Sequence, residues 1–286
     1  QMAVTAALNG VGLALQIPAI FAFVADSVDG ASRGMAFGWL AVAGRPAPDG
    51  PTGRVVTPAT VKPVRQELQE FAREAKAVMR IPSFQVIIAQ GLTGSFPWSA
   101  LLFTAMWLEL VGFSHGETAA LMTLFKVATS LGSLFGGKMG DALARRFKNS
   151  GRIVLSQISS GSAIPLSGVL LLALPNDPPS TVKHGAALFI LGIMASWNST
   201  ATNSPILAEI VPPRAMTTVF ALDRTFEAVL ASFAPPVVGL LAERLYGYKL
   251  ASSTTGDGVD EPTAVDVEME RHNATSLARA IYTSIA

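Results

Sequence analysis

Charged side chains are scarce in this sequence. Only 14% of its 286 residues are Asp, Glu, Lys or Arg, and half are hydrophobic, whereas roughly a quarter of a typical soluble domain is charged. The deficit is concentrated in four runs without any charged residue: 1–25, 81–108, 153–176 and 185–208. Since about 20 apolar helical residues cross a hydrocarbon core of about 30 Å, each run predicts a membrane-spanning helix.

Two further runs qualify although they carry some charge. Residues 118–137 contain only Lys126. The other run, 215–242, contains three charged residues near one end: Asp223, Arg224 and Glu227. The sequence therefore predicts an all-α, polytopic integral membrane protein with about six complete transmembrane helices. The lipid bilayer is its first predicted partner.

Cysteine is absent, which excludes disulfides, thiolate metal sites and a cysteine nucleophile. The three histidines, His115, His184 and His272, are expected in loops and lack metal-ligand spacing. There is no H-E-x-x-H signature. The net charge of +1 offers little attraction to a nucleic acid. We therefore predict no enzyme, no metal, no other cofactor and no nucleic-acid partner.

Basic and non-basic loops alternate along the chain. Lys and Arg concentrate in two loops, 44–80 and 138–152, and the loop 209–214 adds Arg214. Three other loops are poor in them: 109–117, 175–184 and 250–273. Because basic loops remain in the cytoplasm, this alternation predicts the orientation of the spans. It places a glycosylation sequon, Asn273-Ala274-Thr275, on the outer side.

The segment before residue 81 predicts a linker. Residues 45–60 are rich in Pro and Gly and are expected to be irregular. Apolar residues then recur on one helical face between Val64 and Val78, which predicts an amphipathic helix on the inner membrane surface. A solvated linker helix is favoured over a regulatory site. At the other end, an apolar segment begins at Ala274 but is too short to cross.

Residues 134–147 read LFGGKMGDALARRF, so an apolar helix ends in one acid and two bases. The spacing of Gly132, Gly136 and Gly140 predicts a smooth stripe against which another helix can pack closely. A carboxylate at a helix C-terminus opposes the macrodipole, so Asp141 needs a partner. That partner is expected to be a cation or the free N–H groups at the start of a neighbouring helix.

The same stretch resembles the cytoplasmic loop motif of the major facilitator superfamily, G-x-x-x-D-[RK]-x-G-[RK]-[RK]. Four residues match: Gly137, Asp141, Arg145 and Arg146. The sequence departs from the motif at Ala142, where the family prefers a base, and at Ala144, where it prefers glycine. Two other segments, 24–39 and 219–243, resemble the turn after the fourth span and the eleventh span of eukaryotic, particularly plant and algal, members related to the spinster-like branch.

The resemblance implies a partial major-facilitator fold. Residues 1–44 would be a remnant of the N-terminal half, with the fourth span and the start of the fifth. Residues 45–80 would be the cytoplasmic linker, and 81–286 the C-terminal half from the seventh span to the start of the twelfth. The chain is therefore expected to be a fragment.

The resemblance also implies a secondary transporter, which would move a small solute by alternating access, with a proton or sodium as coupling ion. In this family four spans line the cavity, and they supply most of the candidate residues here: Asn9, Gln16, Gln90, Trp98, Trp197, Asn198 and Asn203. Each has structural helix–helix contact as its alternative role. A non-transporting membrane scaffold or sensor of the same ancestry is the alternative function. The substrate does not follow from the sequence.

Lys126 is a further cavity candidate. A charge at mid-span costs about 2.5–3.5 kcal/mol on insertion scales, so Lys126 is expected to face water, a carboxylate or an anionic substrate. Structural pairing and substrate binding both stay open.

The resemblance implies a conformational latch around Asp141, because the superfamily docks this loop against its fifth span. Asp141 is then expected to pair with Arg33 or with the helix start around Gly34. A second cluster, Asp223, Arg224 and Glu227, lies within one helical turn, and Arg224 can pair locally with Glu227. This cluster is either self-satisfied at the membrane interface or a second latch.

Overall fold

The computed structural model describes residues 18–43, 72–73, 75–148, 150–175, 180–211, 215–249 and 264–286. Within those ranges every regular element is a helix, which confirms the all-α prediction. Most of the predicted linker helix lies outside the described residues, although 75–78 are helical.

The α-helices are numbered in chain order. They are α1 (Pro18–Ser27), α2 (Arg33–Ala43), α3 (Pro82–Ala100), α4 (Thr104–Val111), α5 (His115–Arg146), α6 (Gly151–Gly168), α7 (Thr181–Ala195), α8 (Ser204–Ile210), α9 (Met216–Ala231), α10 (Ala234–Leu240) and α11 (Ala264–Ile285). Short 3₁₀ turns lie at Gly30–Ser32 and Leu101–Phe103. Wider π-helical turns lie at Val169–Ala173, Ser199–Asn203 and Leu241–Leu245.

Among the described residues, four continuous helical segments are long and apolar enough to cross a membrane. They are Pro82–Val111, His115–Arg146, Gly151–Ala173 and Met216–Leu245. Each contains most or all of one of the predicted runs, because uninterrupted apolar sequence favours helix once the solvent is lipid. These segments indicate a membrane protein.

The two remaining runs differ from the four. Most of 1–25 lies outside the described residues. The run 185–208 is not one straight helix, since α7 ends at Ala195 and a turn and the π-helical stretch Ser199–Asn203 precede α8. Asn, Ser and Thr crowd this break, and such side chains compete with the backbone for hydrogen bonds.

The chain divides into two compact units, and each has its own core. The first comprises 1–92, 130–159 and 196–228. Its core includes Phe21, Phe37 and Phe220, whose ring centroids lie 5.5–6.1 Å apart. Aromatic rings at these separations gain contact energy beyond their buried area.

The second unit comprises 93–129, 160–195 and 229–286. Its core contains Trp107, Leu170, Leu188 and Ile281, all almost fully buried. Helix α11 supplies Ile281, and it begins ten residues before Ala274. The predicted short apolar segment is therefore the second half of a longer helix.

Two expectations about the second unit were wrong. His184 is buried within α7 between the rings of Trp107 and Phe113, and His115 and His272 also lie in helices rather than loops. Asn273 is buried, and its side chain exchanges two hydrogen bonds of 2.9 Å with the Lys249 backbone. The sequon asparagine is therefore inaccessible in this fold.

Candidate functional site

Asp141, near the end of α5, is bound to the start of α2. Its Oδ1 accepts a hydrogen bond from the Gly34 amide at 2.9 Å, and its Oδ2 accepts one from the Met35 amide at 2.8 Å. The first amides of a helix have no partner within it, and the helix dipole favours a negative charge there. The helix start around Gly34 is thus the partner of Asp141, as one of the two predicted alternatives had it.

Glycines bring α2 and α5 close enough for this contact. A Cβ at Gly34 would lie 2.6 Å from the Gly137 carbonyl oxygen and 2.7 Å from Asp141 Oδ1. A Cβ at Gly38 would lie 2.8 Å from the Ser133 carbonyl oxygen. Real Cβ atoms do not approach other heavy atoms so closely, so a larger residue at Gly34 or Gly38 would push the two helices apart.

The predicted glycine stripe faces a different segment. A Cβ at Gly136 would lie 2.8 Å from the Trp197 ring, and one at Gly140 would lie 2.9 Å from Ala201. Both partners lie between α7 and α8, so close approach is confirmed for these two glycines. Within the first unit, α5 therefore packs tightly against two segments at once.

A buried cation, Arg152 of α6, completes the site. Its Nη2 lies 2.9 Å from Asp141 Oδ1, and the two side chains are only 6% and 5% exposed. Its Nη1 donates to the Ala201 carbonyl oxygen at 2.9 Å, and Nη2 also reaches the Gly30 carbonyl oxygen at 3.5 Å. Glu209 is a second, more distant carboxylate at 3.7 Å. Such a pair is stable only while its charges stay together.

The acceptor at Ala201 has a local cause. Pro205 lies four residues later and has no N–H, so it cannot donate the usual helical bond to the Ala201 carbonyl. The Arg152 guanidinium donates to that carbonyl, and Thr202 Oγ1 donates to the Arg152 carbonyl oxygen at 2.8 Å. The break in the run 185–208 therefore forms one wall of the site.

The sequence analysis missed the role of Arg152 and counted it only among the basic residues of a loop. A usable signal was its place beside Gly151 at the start of α6. A cation at a helix N-terminus opposes the macrodipole, just as Asp141 does at a helix C-terminus. An acid at one helix end and a base at the next helix start, each opposing the dipole of its own helix, can offset each other by pairing.

The other basic residues of the predicted latch have weaker roles. Arg33 does not pair with Asp141, because its Nη1 donates instead to the Ala208 carbonyl oxygen at 3.2 Å. Arg145 donates to the Ala31 carbonyl oxygen at 3.3 Å, and Arg146 lies over the exposed Phe147 ring. The Arg33 alternative was therefore wrong.

The second charged cluster is partly self-satisfied. Arg224 Nη1 donates to Glu227 Oε2 at 2.6 Å, which is the local pair that the spacing predicted. The guanidinium also lies 4.9 Å from the centre of the Phe21 ring. Asp223 is different, because it is 1% exposed and its Oδ1 has no hydrogen-bond partner.

Three of the cavity candidates in the first unit lie on or near one polar link. Gln90 Nε2 donates to Ser156 Oγ at 3.4 Å, and Ser156 Oγ donates to Asn198 Oδ1 at 2.6 Å. Trp197, beside Asn198, is buried against Gly136 and the Phe135 ring. The structural role considered for these residues is thus realised for Trp197.

Asn203 is also buried, and its Oδ1 has no hydrogen-bond partner. In the second unit, Trp98 is exposed and its ring centroid lies 6.2 Å from that of Phe125. Lys126 is exposed and forms no ion pair within the described part of the chain. Asn9 and Gln16 lie outside the described residues.

The prediction of no enzyme also counted the G-x-S-x-G pattern around the serine nucleophile of α/β hydrolases as absent. That count was wrong, because residues 112–116 read G-F-S-H-G. That pattern needs a preceding strand, whereas this one follows helix α4. The Ser114 hydroxyl and amide both donate to Glu117 Oε2, at 2.8 and 3.0 Å, and Ser114 Oγ accepts from the Glu117 amide. These hydrogen bonds form a capping box at the start of α5.

No protein-family model, curated protein or solved structure matches this chain. Within the described residues, no group of three or more His, Cys, Asp or Glu side chains is placed to hold a metal ion. We take the buried Asp141–Arg152 ion pair, together with the Gly34 and Met35 amides that bind Asp141, as the candidate functional site.

Proposed function

We propose that this chain belongs to a membrane transporter of the major facilitator type, and that the Asp141 site is its conformational latch. The observation that carries the proposal is one carboxylate joining three helices, since Asp141 of α5 binds the start of α2 and Arg152 of α6. The motif residues Gly137 and Asp141 both lie at this contact.

A conformational latch requires an interaction that is fully formed in one packing of the helices and fully broken in the other. Removing one partner of a buried ion pair costs about 3–5 kcal/mol, because the other charge stays desolvated. If α2 moves away from α5, Asp141 loses its two amides and water enters. Such a site favours one discrete packing of the helices over another, as alternating access between two packings requires.

Polar side chains in each unit are candidates for contact with a transported solute. Within the first unit, the Gln90–Ser156–Asn198 link offers amide and hydroxyl groups that would suit a small polar solute. In the second unit, taken by itself, Lys126 is exposed, has no ion pair among the described residues and would suit an anionic group. A proton or sodium would be the coupling ion. A scaffold or sensor function would use the same helices without a solute path.

A distance measurement tests the latch without knowledge of the substrate. The chain has no cysteine, so the exposed residues Ala31 and Ala142 can be replaced by cysteines and spin-labelled without background. We expect one main distance in the otherwise wild-type protein and a second, longer distance when Asp141→Asn is added. An unchanged distribution would show that Asp141 does not control this packing.

Uptake into vesicles tests transport itself. Purified protein is reconstituted and offered labelled amino acids, sugars and organic anions, with and without proton or sodium gradients. Saturable uptake that Asp141→Asn reduces, at equal protein content, would support the proposal. Two distances in the spin-label experiment without uptake of any solute would favour the sensor alternative.

A further inference from the structure

Two aspartates in the described part of the first unit are buried and have opposite surroundings. Asp141 is 3% exposed and accepts hydrogen bonds from Arg152, Gly34 and Met35. Asp223 of α9 is 1% exposed, and its Oδ1 has no partner. Both face the same desolvation cost, but only the first has donors and a cation to offset it.

The nearest cation to Asp223 is turned towards another acid. Arg224 follows Asp223 directly, and adjacent helical residues do not face each other. Its Nη1 donates to Glu227 at 2.6 Å, and its guanidinium lies 4.9 Å from the Phe21 ring centre. Arg224 therefore has one edge and one face already occupied, and Asp223 forms no ion pair with it.

Glu227, the next acidic residue along the helix, further destabilises a negative charge on Asp223. Glu227 lies four residues later, on the same face of α9, and like charges at this spacing repel. Glu227 is also held in place, because a Cβ on Gly91 of α3 would lie 2.9 Å from its Oε1. It thus stays between α9 and α3 rather than turning out to solvent.

The other elements packed against α9 carry Asp26 and Arg33, and neither residue forms an ion pair with Asp223. Phe21 of α1 and Phe37 of α2 contact its Phe220 ring, and α3 presents Gly91. Arg33 of α2 is engaged with the Ala208 carbonyl, and Asp26 of α1 is exposed. On α9 itself, the charged residues nearest to Asp223 are Arg224 and Glu227.

We propose that Asp223 and Glu227 form a proton-binding carboxyl pair, in which Asp223 carries the proton and Glu227 keeps its contact with Arg224. A buried carboxyl group without a cation takes up a proton rather than carry an uncompensated charge. The inference does not depend on whether the chain transports a solute.

A hydrophobic carbodiimide tests the proposal on the purified protein in lipid vesicles. The reagent reacts with carboxylic acids: the acid proton moves to one nitrogen, the carboxylate oxygen adds to the central carbon, and acyl transfer then gives a stable N-acylurea. Nothing leaves, so the modified peptide gains the mass of one carbodiimide. We expect an adduct at Asp223 at neutral pH, which disappears as the pH is raised, and none at Asp141, which serves as the buried but ion-paired control.

Two variants sharpen the test. Glu227→Gln removes the like charge, so labelling of Asp223 should then disappear at a lower pH. Asp223→Asn keeps the shape of a neutral side chain and should give no adduct in that peptide. If Asp223→Asn does not fold, the pH dependence of labelling in the wild type and in Glu227→Gln still tests the proposal. Absence of the adduct at neutral pH, a yield independent of pH, or protection by sodium at constant pH would each overturn the proposal.

Discussion

Arg152 Nη2 lies 2.9 Å from Asp141 Oδ1 in a site where both side chains are almost completely buried. The two residues come from different helices, and each lies near the helix end at which its charge opposes the dipole. Their contact offsets both of these unfavourable terms. It also places a strong, all-or-none interaction at the junction of α2, α5 and α6.

Arg152→Met should destabilise the folded protein by about 3–5 kcal/mol, because Asp141 then stays buried with two amides but no cation. Chemical unfolding of the purified protein measures this loss. Adding Asp141→Asn to Arg152→Met should recover much of the stability, since the unpaired charge disappears. Arg146→Met is the matched control: its guanidinium is exposed over Phe147, and a change within about 0.5 kcal/mol is expected. Equal losses for both arginines would contradict the buried-pair interpretation.

Gly34→Ala should separate α2 from α5. The new methyl would lie 2.6 Å from the Gly137 carbonyl oxygen and 2.7 Å from Asp141, and overpacking of this kind costs about 1–3 kcal/mol. Gly94→Ala in α3 is the control, because a Cβ there meets nothing within 4 Å. Alanine in an open helical position should stabilise by about 0.5–1 kcal/mol. Thermal unfolding of the two variants should therefore shift in opposite directions, and a shared direction would argue against the close crossing.

The sequence predicted some of this architecture because the relevant signals are local. Apolar runs such as 81–108 predict helices without any information on the rest of the fold. An acid at a helix C-terminus likewise predicts that a positively charged or N–H partner lies nearby. The identity of that partner is not local, since Arg152 and Gly34 reach Asp141 only through the path of the chain. A bend at Pro205 could be expected from the sequence, since proline has no N–H. The donor that replaces this N–H at the Ala201 carbonyl could not, because Arg152 is distant in the sequence.

The sequon at Asn273 failed for a related reason. Its residues satisfy the pattern, but burial and the two bonds to the Lys249 backbone depend on how α11 packs. We expect no glycan at Asn273 when the chain is made in the presence of microsomes, so a glycosidase should not change its mobility on a gel. Asn273→Ala should instead cost about 1–3 kcal/mol, because it leaves the Lys249 amide and carbonyl unpaired. Efficient glycosylation of the folded protein would place Asn273 on an exposed surface.

Comparison of Lys126 with Leu131 tests which exposed side chains of α5 contact water and which contact lipid. Leu131 lies on the same helix, about 140° around its axis from Lys126 at 100° per residue, and it is also exposed. An exposed leucine within a span is stable in contact with lipid. Placing an ammonium there costs about 2.5–3.5 kcal/mol unless water or a counter-charge reaches it. Since Lys126 has no ion pair among the described residues, we expect it to face water.

Single cysteines in this cysteine-free chain report the difference. A membrane-impermeant maleimide added to reconstituted protein should modify Lys126→Cys and should leave Leu131→Cys unmodified until detergent is added, because the thiolate forms only in water. Neither substitution removes a buried contact, so both variants should fold. If Lys126→Cys is as protected as Leu131→Cys, the lysine lies against lipid or an undescribed segment, and it has no part in binding a solute from water.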